Sequence, residues 1–79
     1  MEIDKIEQMI YALDRIIERY VDSMASKQAF TSLLNEISNF YRNTLYPYCG
    51  HSMSKIIIRN ELIENLGYAQ AEVAYNQLF

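Results

Sequence analysis

With one cysteine, one proline, one histidine and two glycines among its 79 residues, the chain has little material for disulfides, metal centres or loops. Cys49 alone cannot form an intrachain disulfide, which excludes the stapled framework of a small secreted domain and favours a reducing, cytoplasmic setting. Basic residues are also few. Seven lysines and arginines against ten acids leave a net charge of −3, so general attraction to nucleic acid or to an anionic membrane is not expected, and any affinity for phosphate would have to be local. The opening MEIDKIEQ is acidic and has neither the basic nor the apolar region of a signal peptide, and no stretch approaches the roughly eighteen continuous apolar residues of a membrane span. Neither export nor membrane insertion is expected.

Catalytic constellations are missing as well. No glycine-rich phosphate loop or pair of carboxylates with apolar flanks can be assembled from the sequence. Cys49 and His51 supply only two donors where tetrahedral zinc takes four, and as near neighbours on a loop they are poorly placed to act as nucleophile and base. The sequence therefore predicts no enzyme, no metal, no cofactor and no small-molecule substrate.

What is present is apolar periodicity. Apolar residues make up 51% of the chain and ten residues are aromatic, enough for a core and too many for disorder. Ile3, Ile6, Ile10, Leu13, Ile17, Tyr20 and Met24 fall at alternating spacings of three and four, the seam of a helix that packs on other helices. Met9, Ile16 and Val21 widen that seam, which favours a bundle over a two-stranded coil. Beside it, Asp14, Glu18 and Asp22 form an acidic row next to Arg15 and Arg19, with Arg15 to Glu18 and Arg19 to Asp22 spaced as ion pairs.

A single helix running on to residue 45 is the alternative to a turn, since neither glycine nor proline intervenes. Continued in register, however, the seam would meet Lys27, Thr31 and Ser38, whereas Phe30, Leu33, Leu34, Ile37, Phe40 and Tyr41 define a rotated face. A turn within SMASK is expected, with Ser23 or Ser26 capping a second helix packed antiparallel on the first. That helix should end by Tyr46, because a residue before proline is pushed out of the helical region. LYPYCGHSMS then reads as the one loop, Ser52 or Ser54 as the cap of a third helix over residues 55–66, and Gly67 as its terminator before a short last helix. The fold expected is all-α: one domain over residues 1–79, three main helices and a short C-terminal fourth, with the first helix as spine.

Two regions carry functional suggestion. Tyr46, Tyr48 and His51 on the loop, with Arg42 and Arg59 nearby in sequence, would make an aromatic and basic contact patch suited to an acidic protein surface. The plainer alternative is that the tyrosines fold back as a lid over the core. ELIENLGYAQAEV reads as helix, glycine turn, helix, with Leu62, Leu66, Gly67, Tyr68 and Val73 spaced as apolar and glycine positions, and it resembles the helix-turn-helix of small bacterial and phage repressors. That resemblance implies DNA reading over residues 59–78 by Gln70, Glu72, Asn76 and Gln77, although the reading helix has no lysine or arginine, Ile63 stands where a small residue is usual, and Asn76 where an apolar one is. A looser likeness, carried by LLNEISNF and ELIENL, is to small helical immunity proteins encoded beside bacteriocins.

The leading expectation is therefore a non-enzymatic protein that binds a protein partner stoichiometrically: an inhibitor, immunity or anti-defence factor, or regulatory adaptor, of the kind phages and plasmids carry. A helix-turn-helix regulator is the alternative. Because a chain this short buries only about 60–65% of its unfolded surface, a homodimer that covers surplus apolar seam is also expected.

Overall fold

The first helix keeps its seam but stops sooner than its periodicity suggests. In the computed structural model, which describes residues 3–79, α1 spans Ile3–Glu18 and is followed by a 3-10 turn over Val21–Ser23. The tightening begins where Tyr20 N–H bonds to the Ile17 carbonyl at 2.9 Å and continues where Ser23 N–H bonds to Tyr20. Tyr20 and Met24 still pack against the core, while Val21, expected on the widened seam, is turned outward. Ser26 caps α2 (Lys27–Phe40): its backbone is extended and its Oγ accepts from the Ala29 N–H at 3.2 Å, satisfying one of the donors a helix start leaves open.

The expected ion pairs along α1 are not the ones formed. Arg19 reaches across to Glu36 of α2 at 2.6 Å, and the Tyr20 hydroxyl donates to the same carboxylate. That hydrogen bond holds the tyrosine proton, raising the Tyr20 pKa above its usual value. Arg15 lies over the Tyr11 ring, and Asp14 turns toward Asn65. Local spacing made these charges available; packing chose their partners.

The segment expected to be a loop is helical. A π turn over Tyr41–Leu45 leads directly into α3 (Tyr46–Leu66), and Tyr46 before the proline has φ −57° and ψ −47°. The reason is the widened turn. Proline in a helix lacks one N–H and its ring presses on the carbonyl four residues back; here the Tyr46 N–H bonds five residues back to Tyr41, shifting the ladder so that Pro47 enters at the first turn of α3. The break falls at Gly50 instead, with φ +83° and ψ 175°, dividing α3 into a short arm before it and a long arm after it. Neither Ser52 nor Ser54 acts as a side-chain cap. Ser54 is fully buried, and its Oγ has no hydrogen-bond partner among the described residues.

Gly67 ends α3 as expected, its N–H bonding to the Ile63 carbonyl at 2.9 Å, and α4 (Tyr68–Leu78) begins at once. Its φ of +82° and ψ of 167° nearly repeat Gly50. Both lie in a region of backbone space essentially reserved for glycine.

The architecture is all-α, with three main helices and a short C-terminal fourth. Its core joins Met9, Leu13 and Ile17 of α1, Leu33 and Ile37 of α2, Leu45, Ile57, Ile58 and Leu62, and Ala71 and Ala74 of α4. Each fully buried leucine or isoleucine is worth about 1.5–3 kcal/mol against exposure. In the isoleucine run, Ile57 and Ile58 are the inward pair, and Ile56 is 55% exposed.

Open space surrounds the position a Cβ would take at Gly67, so Gly67→Ala meets only the backbone cost of its φ and ψ. Urea unfolding should show a loss of about 1–3 kcal/mol. Ser54→Ala removes a buried hydroxyl without a partner and should raise stability by about 1 kcal/mol in the same assay.

Candidate functional site

Two corners gather residues that sequence separates. After Gly50 the chain presents His51 to Tyr41 of the π turn, with the Tyr41 hydroxyl and His51 Nδ1 2.5 Å apart. After Gly67 the chain returns α4 along α3, so that Tyr75 and Phe79 meet Lys55 and Arg59. Phe79 is the hub: its ring centroid lies 5.4 Å from that of Tyr41, 6.2 Å from His51 and 5.2 Å from Tyr75. Tyr46 adds an edge-on contact to Tyr41 at 5.7 Å. Edge-to-face rings at such distances attract through their quadrupoles, which makes the cluster a stiff apolar platform.

Cations border this platform. Lys55 Nζ lies 5.5 Å from the Phe79 centroid and 5.9 Å from that of Tyr75, and the Arg59 guanidinium lies 5.6 Å from Tyr75. Arg42 hydrogen-bonds Asn39 at 2.9 Å and lines, with Ile37, Ser38, Tyr41, His51, Leu78 and Phe79, a cleft of about 180 Å³.

Of the five residues predicted from sequence, Arg42, Tyr46 and His51 converge on the Tyr41–Phe79 cluster, and Arg59 joins it through Tyr75. Tyr48 is engaged on α1, where Lys5 Nζ sits 5.8 Å from its ring. Three members are absent from the sequence prediction: Tyr41, expected on the inward face of the second helix, Tyr75 and Phe79. The available signal was the surplus of aromatics over what one small core can enclose.

The second region behaves differently. Gln70, Glu72, Asn76 and Gln77 are all exposed on α4, so the helix, glycine, helix corner exists, but its outer helix offers no positive charge. Among the described residues no group of three or more histidine, cysteine, aspartate or glutamate side chains could hold a metal ion. No described helix is long and apolar enough to cross a membrane.

An acidic cluster lies between α1 and α3. Asn65 Nδ2 donates to Asp14 Oδ1 at 2.8 Å and to the Glu61 carbonyl at 2.9 Å, and Glu64 and Glu7 line the same groove. Glu61 is only 8% exposed. Burial, reinforced by the Glu64 and Asp14 charges, pushes its pKa up from 4.5 to about 7.

The comparisons with known proteins add no relative: no family model, curated protein or solved structure matches the chain. The fold and this site define a small all-α protein with an exposed aromatic and basic face.

Because the folded-state pKa of Glu61 is raised, the native protein takes up a proton that the unfolded chain releases. Its contribution costs nothing below pH 4.5, and stability declines as pH rises from there through about 7. Glu61→Gln mimics the protonated acid. It should raise unfolding stability at pH 8 by about 1–3 kcal/mol and change it little near pH 4. Denaturant titrations at both values check this; an equal effect at both would show that charge is not the cause.

Proposed function

We propose that the protein acts by stoichiometric binding to a protein partner through the face built on Tyr41, Tyr46, His51 and Phe79 and bordered by Arg42, Lys55 and Arg59. The observation that carries this reading is the convergence on Phe79 of aromatic and cationic side chains from the π turn, α3 and α4. Aromatic and arginine residues dominate the energetics of protein interfaces because they supply rigid area and paired charge. A cleft of about 180 Å³ is smaller than common small-molecule sites and suits a single side chain from a partner. Positive charge around it selects an acidic surface. An inhibitor, an immunity or anti-defence factor, or a regulatory adaptor of the sort phages and plasmids encode all fit this mode of action.

The competing reading is DNA binding by α4. The glycine corner at Gly67 favours it, and the charge opposes it: Glu72 would face phosphates with no lysine or arginine on that helix to offset it.

Affinity capture with immobilised wild-type protein, Tyr46→Ala, Arg42→Glu and the off-site control Val21→Ala tests the proposal. The two site variants should lose the specifically captured protein by about tenfold or more with unchanged helicity, and the control should retain it. Retention by all three would rule the face out. For the DNA reading, gel retardation at low salt decides, and no shifted band is expected.

A further inference from the structure

Exposed apolar side chains occur on several elements, Tyr11 of α1 and Tyr68 and Val73 of α4 among them, but on α3 they form a row. From Ile6 onward the seam of α1 packs into the core, whereas on the long arm of α3 Met53 is 40% exposed, Ile56 is 55% exposed, Asn60 is exposed and Ile63 is half-buried. Their spacings of three, four and three place Met53 and Asn60 at heptad position a and Ile56 and Ile63 at d. Ile58, Glu61 and Leu62 turn the far side of the helix to the other elements, while Ile57, a turn from Met53 and Asn60, is buried at the edge of the stripe and Ile63 packs partly against the core.

Charge separates its two borders. On the α4 side lie Lys55 and Arg59, both over Tyr75. On the α1 side lies Glu64, which shares its groove with Glu7, Asp14 and Glu61. We infer that this stripe pairs with the same stripe of a second copy, the two α3 helices running parallel about a two-fold axis along their length.

The direction follows from the borders. A two-fold axis parallel to the helices sets the basic border of each copy against the acidic border of the other, bringing Arg59 at g opposite Glu64 of the second copy at e. An antiparallel pair would set base against base and acid against acid. Parallel pairing also brings the two Asn60 side chains together on the axis, where an asparagine at a fixes register and a two-stranded state at some cost in affinity. The stripe covers only three turns of one helix, so the interface is at the small end of specific contacts and the dimer is reversible.

Arg59 also borders the aromatic face, so the decisive substitutions lie elsewhere. Sedimentation equilibrium of the full chain from about 5 to about 500 μM should show monomer passing to dimer, the transition moving to higher concentration with added salt. Ile56→Asp, at an exposed position, should abolish it with helicity retained. Glu64→Arg, which opposes Arg59 to a like charge, should weaken it about fivefold or more, and Arg59→Glu with Glu64→Arg should restore it. A single-chain mass at every concentration overturns the inference, as does dimerisation indifferent to Ile56→Asp and Glu64→Arg. Neither substitution touches Arg42, Tyr46 or His51, so loss of self-association with partner capture intact separates this surface from the aromatic one.

Discussion

One backbone conformation, adopted twice, organises the molecule. Gly50 and Gly67 share a φ near +83° and an extended ψ, in which one helix ends and the next begins within a single residue. Side chains disfavour that conformation strongly, so the two glycines fix where the path turns. The first corner carries His51 to Tyr41 and starts the long arm of α3 along α1. The second folds α4 back on α3, burying Ala71 and Ala74 and placing Tyr75 and Phe79 beside Lys55 and Arg59. Without either turn the core would lack a wall and the aromatic face would come apart.

The core itself is made of ordinary apolar packing, and its polar exceptions are informative. Ser54 and Glu61 are buried on the same helix, one without a partner and one with its proton held by burial and by acidic neighbours. Both weaken a domain already small enough for stability to be marginal. The exposed Glu64 beside Glu61 supplies the acidic border of α3, opposite the lysine and arginine that border α4.

Several features were legible in the sequence because they depend on neighbours along the chain. The α1 seam, a serine cap at Ser23 or Ser26 and the stop at Gly67 all rest on local periodicity or on the chemistry of one residue, and the structure selects Ser26. The segment around Pro47 was misread for a physical reason. A residue before proline ordinarily avoids the helical region, yet Tyr46 adopts it here; the π turn relieves the other conflict, the pressure of the ring on the carbonyl four residues back, and no residue of YRNTL announces that turn. Three adjacent isoleucines, likewise, leave the inward pair ambiguous until the neighbouring helices are known.

The sequence by itself determined that the chain is helical, that it lacks a disulfide framework, and that tyrosine and arginine are available for contact. Those properties follow from composition and from spacings of three and four residues. Only the tertiary structure decided that Arg19 pairs with Glu36, that Phe79 is the centre of the aromatic face, and that the uncovered stripe lies on α3. The first two join residues far apart in the chain and the third depends on which helices cover α3, so all three rest on how two glycine corners and one π turn steer the helices, which local periodicity does not encode.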